Sequence, residues 1–336
     1  MADVSVVVPV HGRAAVTQQC LDGLESSLRP DVEIVVVDDG SRDETRAVVG
    51  AHGDRVKLVE HDEPRGFAAA CNAGARASVG AAIVFLNNDT IGSDGWLDAL
   101  VDYTDAHPEA AAVGARLLTQ DGAVQHAGIV VCHDLVPRHA YRGFPADHPA
   151  ATRSRPFKAV TAACMLVRRD AFEQLGGFDE SFRNGFEDVD LCLRLGEAGH
   201  EIHYCHESVL THFEAATRGD DAETFARNLE AFHERWGERL VPDDLTVYLE
   251  DGLLSIDYSD VYPLGMRVSP LLAAVDPTGQ TAEAFDLLGT RARQVFDLLK
   301  ENTLLRVRLG EVELETARTA VADEAARVQP FRTGSQ

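Results

Sequence analysis

Short runs of β-branched residues alternate along the first third of the chain with stretches whose apolar side chains recur every three or four positions. Val4-Ser-Val-Val-Val-Pro-Val10 reads as a strand buried on both faces, with Pro9 tolerable only near its end. A helix follows over Ala14 to Ser27, with Val16, Cys20, Leu21 and Leu24 on one side. Val32 to Val37 is a second strand, and its Asp-Asp-Gly-Ser ending doubles as a turn and a helix cap. A helix over Arg42 to His52, a strand over Val56 to Val59 and an Ala-rich helix over Gly66 to Ser78 come next. A strand over Ala81 to Leu86, a helix within Gly92 to His107 and a short strand over Ala111 to Gly114 complete the pattern. Strand and helix alternating with short links predict a doubly wound parallel sheet.

Residues 116–160 lose the alternation, and scattered Gly, Pro and His predict loops with short antiparallel strands such as Gly128 to Cys132. Regular pattern returns with a strand over Ala159 to Val167, a helical turn over Arg169 to Leu175 and a turn over Gly176 to Glu180. A helix over Glu187 to Ala198 and a strand from His200 through Cys205 toward His212 follow. Beyond Arg239 the character changes, which divides the chain into 1–239 and 240–336. Strand and turn are expected over Asp243 to Pro263, then helix from Thr281 to about Val328. Leu288, Val295, Leu298, Asn302, Leu305, Leu309 and Val312 form a coiled-coil-like seam with one polar interruption. Such a helix either packs on its own domain or joins two copies as a homodimer, and the pattern leaves both open.

The chain carries 31 Lys and Arg against 55 Asp and Glu, a formal charge of −24 over 336 residues. That field argues against nucleic acid and against anionic membrane as partners. An anionic ligand would need a local cation, from Arg or from a metal. The six Cys sit among apolar neighbours with no Cys-x-x-Cys pair, as buried thiols do. No signal peptide and no membrane-length apolar run is evident, so the expected location is the cytoplasm. Neither a Gly-x-Gly-x-x-Gly loop after the first strand nor a phosphate-binding P-loop is present.

Acid collects at three places. Val35-Val-Val-Asp-Asp-Gly-Ser41 and Val84-Phe-Leu-Asn-Asn-Asp-Thr90 each put carboxylates at the end of a strand, where open α/β sheets bind ligands. Asn184-Gly-Phe-Glu-Asp-Val-Asp190 packs Glu187, Asp188 and Asp190 into four residues at a helix start. Mutually repelling carboxylates are kept for a base, a metal or a cap. On a helix Asp188 and Asp190 point about 200° apart, and Asp190 stands four residues before Arg194, which a surface ion pair explains. Asp188, beside the positive helix end that favours its ionised form, is the expected base.

These pieces, in order, resemble the family 2 glycosyltransferases of GT-A fold, in the rhamnosyl- and galactosyltransferase-like branch. The resemblance rests on Val6-Val-Val-Pro-Val10, Val37-Asp-Asp-Gly-Ser41, Arg65-Gly-Phe67 with Asn72-Ala-Gly74, Leu86-Asn-Asn-Asp89, Gly176-Gly-Phe-Asp-Glu180 and Phe186-Glu-Asp-Val-Asp-Leu-Cys192, and covers about residues 4–218. It implies an α/β fold, a doubly wound mixed sheet flanked by helices, with a mainly helical C-terminal extension. It also implies inverting, metal-dependent transfer from a UDP- or dTDP-sugar to an acceptor hydroxyl, Mn²⁺ or Mg²⁺ being the ion. Residues 116–160 would then form a flap on the acceptor side. By resemblance Pro9, Asp39, Gly66, Asn72, Asn88 and Arg218 bind the nucleotide sugar, Asp89 and His212 the metal. Asp188 is then the base, with Glu187 orienting the acceptor. Where the family carries Asp-x-Asp this chain has Asn87-Asn88-Asp89, one acid replaced by an amide. Bland readings stand beside these: Asp39 as a turn cap, Asn87 to Asp89 as a turn, His212 as structural, the acidic cluster as a helix start. Phe178 and Trp96 are core residues or sugar platforms. A sugar-phosphate nucleotidyltransferase and a non-catalytic assembly partner are the rival functions. The partners implied are a nucleotide sugar and a glycan, protein or small-molecule acceptor.

Overall fold

The computed structural model describes residues 4–132, 134–213, 222–257, 265–274, 298, 300–316 and 318–319. It divides into two compact units, Met1–Leu253 and Leu254–Gln336. The first unit opens β1 (Val4–Val10), α1 (Ala14–Ser27), β2 (Glu33–Asp39), α2 (Thr45–Ala51), β3 (Val56–His61), α3 (Phe67–Ala77) and β4 (Ala82–Leu86). β5 (Thr90–Gly92), α4 (Trp96–Ala106), β6 (Ala110–Leu118), β7 (Val124–His126), β8 (Ile129–Val131), β9 (Pro137–His139) and β10 (Arg155–Phe157) follow. β11 (Cys164–Arg168), α5 (Arg169–Gln174), α6 (Glu187–Glu197), β12 (Glu201–His212), α7 (Ala222–Trp236) and α8 (Asp244–Glu250) complete it. The second unit holds a hairpin of β13 (Leu254–Asp257) and β14 (Gly265–Val268), then α9 (Pro270–Ala274) and helical turns over 300–316.

The main sheet runs β10-β12-β6-β11-β4-β1-β2-β3, with β5 on β12 and β7 on β6. β4, β1, β2 and β3 are parallel, with Val6 opposite Val84 and Val8 opposite Val36. Every residue of β4 is buried, as helices on both faces of a parallel sheet require. β11 enters antiparallel between β4 and β6, so the sheet is mixed. The purely parallel reading of the first third therefore fails at β6. Its neighbour comes from some fifty residues downstream, and no local pattern encodes that pairing.

Gly74 sets how closely α3 lies on the sheet. A Cβ there would stand 2.3 Å from Cγ1 of Val7 and 3.0 Å from Cγ2 of Val37. Gly74→Val is therefore expected to cost about 2–3 kcal/mol through overpacking, read as a lower denaturation midpoint at unchanged slope.

Three local expectations shift. The strand expected from Ala159 begins only at Cys164, because Ala159 bridges to Ile129 and the chain then turns at Ala162-Ala163. Asp244–Glu250 is a helix instead of strand and turn. The β-branched Thr246 and Val247 suggest a strand, but Asp243 is docked on Val131, its Oδ1 accepting that residue's N–H at 2.7 Å. Tertiary docking overrides weak propensity here. The first unit consequently ends at Leu253, beyond the residue 239 read from composition. Asp251, its side chain 2% exposed, anchors this end by accepting from Arg153, Arg155 and the Tyr141 hydroxyl. Much of the expected C-terminal helix, 281–297 and 320–328, lies outside the described residues, as do Thr217 and Arg218. All six thiols are free and buried.

Candidate active site

β2 and β4 flank β1 and run parallel to it, so Asp39 and Asn87–Asp89 leave the sheet at one edge. The start of β11 reaches the same edge, since Cys164 pairs with Leu86 and Asn87 N–H donates to Ala163 O at 2.9 Å. One residue earlier, Ala162 N–H donates to Oδ2 of Asp188 at 3.0 Å. The end of β12 arrives too, with His212 opposite Thr90. The fold thus gathers Asp39, Asp89, Asp188 and His212 at the carboxyl ends of the parallel strands. The Cys71 thiol of α3 reports the crowding. Burial pushes its pKa well up, and the charges of Glu187, Asp39 and Asp188 add to that.

Asp39 is held by three donors. Its oxygens accept from His61 Nδ1 at 2.7 Å, from Arg65 N–H at 2.9 and 3.0 Å, and from Gly66 N–H at 2.8 Å. It therefore ties the end of β3 to the chain entering α3, a structural role different from the turn cap weighed above. Each oxygen thus carries two contacts, Oδ1 from His61 and Arg65 and Oδ2 from Arg65 and Gly66. Asp38 is the structural acid of the pair: it accepts from Ser41 N–H and Arg46 Nε, and those bonds hold its pKa down against burial. Pro9 stands half-buried opposite Val37. Gly66 is at φ 96°, where a side chain is strained.

Asp89 and His212 meet directly, Nε2 to Oδ1 at 2.9 Å. The other ring nitrogen is spoken for: His212 Nδ1 lies 2.7 Å from Gln125 Oε1, and Gln125 Nε2 lies 3.5 Å from His212 O, which fixes the amide's orientation. With Nδ1 bonded to Gln125, Nε2 is the nitrogen turned to the carboxylate. An imidazole nitrogen and a carboxylate oxygen aimed at one point are a fitting donor set for a divalent ion of the Mn²⁺ kind. Asn87 Nδ2 is 3.4 Å from the same nitrogen. Asn88 turns away and donates to Thr17 Oγ1 at 2.9 Å, fastening this strand end to α1. Gln125, from the irregular region, carried no signal in the sequence.

The acidic helix α6 starts from a strained turn. Asn184, Gly185 and Phe186 all have positive φ, at 53°, 127° and 73°. For Phe this costs energy that the surroundings must supply. α7 supplies it: Phe186 packs on Phe225 and Phe232, and Asn228, 2% exposed, donates to Arg183 O at 2.8 Å and Gly185 O at 3.2 Å. Glu187 is buried, its Oε2 accepting Gly185 N–H at 2.5 Å. Asp188 accepts from Ala162 and Val189 N–H, yet burial outweighs these bonds and raises its pKa. The helix-end argument alone gave the opposite direction. A raised value suits a base working near neutrality better than an ordinary carboxylate does.

Asp190 is no surface acid. Its side chain is fully buried and accepts from Arg194 Nε at 2.8 Å, Arg235 Nη1 at 2.7 Å and Trp236 Nε1 at 3.0 Å. Asn72 also departs from expectation, since its buried amide is spent on the 178–180 turn. Oδ1 accepts Phe178 N–H at 2.9 Å, and Nδ2 donates to Phe178 O at 2.9 Å and Glu180 Oε1 at 3.1 Å. Phe178 and Trp96 are core: Phe178 stacks with Phe85 at 4.8 Å and Trp96 is 1% exposed. A cavity of about 420 Å³ lies at the opposite edge, beside Ala82, Arg168 and Arg169. Both guanidiniums there are bonded to main-chain carbonyls, so it offers little to a charged ligand.

Residues 5–176 match the family model for glycosyl transferase family 2. The chain belongs to that family. Within it, the O-antigen biosynthesis protein RfbC of Myxococcus xanthus is 36% identical over 229 residues, 65% of this chain and 18% of that protein. Pre-mycofactocin glycosyltransferase of Mycobacterium tuberculosis is 33% identical over 216 residues, 62% of this chain and 42% of that one. The chain thus spans under half the length of both. The M. tuberculosis N-acetylglucosaminyl-diphospho-decaprenol L-rhamnosyltransferase is 29% identical, over 69% of this chain and 82% of that one. Among solved structures, the mannosyltransferase PcManGT from Pyrobaculum calidifontis, in complex with GDP-Man and Mn²⁺, superposes with a TM-score of 0.55 at 20% identity, over 88% of this chain and 83% of its own. GalNAc-T7 with UDP, GalNAc and Mn²⁺ gives 0.53 at 16% identity, over 63% and 43%. These likenesses establish the GT-A fold of this family 2 member. Among the described residues no helix is long and apolar enough to cross a membrane.

Proposed function

We propose that this chain is an inverting, metal-dependent glycosyltransferase that moves a sugar from a UDP- or dTDP-sugar to an acceptor hydroxyl. The observation that carries this reading is the convergence of Asp89 and His212, at 2.9 Å, on the strand edge that also holds Asp188. The Mn²⁺ bound by the two solved glycosyltransferases named above supports a divalent ion held by this pair. When bound, that ion would neutralise charge on the departing diphosphate. Asp39, a carboxylate at the end of β2, suits as acceptor the imide N–H that uracil and thymine share, in exchange for one of its present donors. Asp188 takes the proton of the acceptor hydroxyl as its oxygen bonds to the anomeric carbon. The bond from that carbon to the diphosphate oxygen breaks with its electron pair leaving on the oxygen. One displacement from the far face inverts the centre. Glu187, buried beside Asp188, orients the acceptor. Arg218 remains a candidate contact to the diphosphate. The O-antigen biosynthesis relative supports a glycan as acceptor, and the pre-mycofactocin relative a smaller one.

The test is release of nucleotide diphosphate from UDP- and dTDP-sugars with and without Mn²⁺. Asp89→Asn is expected to raise the Mn²⁺ concentration needed for half-maximal rate by at least tenfold, because it removes the only carboxylate of the donor set. Turnover that is insensitive to chelator, or unchanged in Asp89→Asn, would overturn metal dependence. Donor binding without turnover under any condition would favour the non-catalytic scaffold.

A further inference from the structure

The helix over 300–316 in the second unit carries an apolar seam in the open. Leu298, Leu305, Leu309 and Val312 are 65%, 54%, 64% and 61% exposed. With Asn302 they fall on alternating spacings of four and three, the core positions of a heptad. Leu304, Val307 and Leu314 form a second stripe, but Lys300 and Glu311 occupy its other positions. The first stripe is broken only by an uncharged amide. Placing Asn302 and Leu309 at the first core position and Leu298, Leu305 and Val312 at the second fixes the flanking residues. Glu301 and Arg308 then precede the first core position, and Arg306 and Glu313 follow the second. In a parallel, in-register pair each preceding position faces the following position five residues on in the other chain. Glu301 then meets the partner's Arg306, and Arg308 meets the partner's Glu313. Both contacts are attractive, and symmetry makes each of them twice.

We infer that this helix binds a second copy of the chain as a parallel, in-register coiled coil. Asn302, whose Oδ1 accepts from Arg306 Nε at 3.2 Å within one chain, sits opposite the partner's Asn302. A buried amide pair at that position fixes register and disfavours slipped or antiparallel arrangements, at a cost in stability. The inference is independent of the transferase reading, because none of these residues belongs to the site.

Sedimentation equilibrium of the full chain tests it, with a dimer expected at micromolar concentration. Glu301→Arg sets like charges across both symmetric contacts and is expected to weaken dimerisation about tenfold. Adding Arg306→Glu restores attraction and recovers the affinity. An antiparallel pair would respond the other way, since the double exchange would put like charges opposite Arg308 and Glu313. Asn302→Cys gives a readout that does not depend on charge. All six native thiols are buried, so oxidation should crosslink Asn302→Cys chains into dimers through that one position. A monomer at every concentration, a double exchange that fails to recover, or no crosslink would each overturn the proposal.

Discussion

Asp188→Asn is expected to lower kcat by about 10²–10⁴-fold while leaving donor affinity within about twofold of the parent, the range for removing a positioned base. The amide can still accept from Ala162 or Val189 N–H, so the geometry at the start of α6 should survive. The neutral side chain also escapes the burial that raises the pKa of Asp188. A carboxyl whose folded pKa lies above its unfolded value stabilises the fold only while protonated. That contribution is full below the unfolded pKa of about 3.9 and disappears as pH rises through the folded one. At pH 7 the ionised, buried carboxylate is thus a cost, and removing its charge offsets the one backbone N–H that the amide leaves unpaired, so the melting temperature of Asp188→Asn should stay close to the parent's. The same shift predicts the acid limb of the rate profile. Activity requires the ionised base, so kcat/KM should fall as pH falls through a value above the ordinary carboxylate range. Steady-state kinetics from pH 4 to 8, together with melting curves, read both. Full turnover in Asp188→Asn would move the base elsewhere.

Asp190→Ala should be the most destabilising single change near the site, about 3 kcal/mol. Removing this acid leaves the buried Trp236 Nε1 donor without its acceptor and deprives Arg235 and Arg194 of their shared counterion. Breaking a fully buried ion pair costs about 3–5 kcal/mol. The low end applies because the Arg235 and Arg194 side chains are 38% and 20% exposed and Arg194 keeps Leu175 O and Gly177 O. For a unit of this size the melting temperature should drop by roughly 6–12 °C. Asp190→Asn, which retains one acceptor, should lose less. Thermal denaturation of both variants checks the order. Equal stability of Asp190→Ala and parent would show that the clasp between α6 and α7 contributes nothing.

The strands β1, β2 and β4 were legible because both of their faces are buried, which writes continuous Val and Ile into the sequence. The acids at their ends were legible for a related reason: charge beside such a run has no place except at an exit from the sheet. The bland reading of Asp39 is visible in its bonds to His61, Arg65 and Gly66, while its reading as a nucleotide-binding residue belongs to the proposal. Asn72 was misread because a motif gives position without direction, and its amide turned toward Phe178. Asp190 was misread because spacing to Arg194 describes one helix, while Arg235 and Trp236 come from another. Gln125 left no trace, being a single amide in a stretch without period, and Asn228 none, being one polar position among many on α7.

The sequence by itself determined the alternation of strands and helices, the family, the three acidic strand and helix ends, and the heptad with its charges. All of these are encoded in spacings of two, three or four residues, which local backbone geometry converts directly into faces and ends. Only the tertiary structure decided that β11 runs antiparallel between β4 and β6, that Gln125 orients His212 toward Asp89, and that burial raises Asp188. Each of those depends on groups distant in the chain meeting out of water, where hydrogen-bond partners and desolvation, rather than spacing, set the outcome.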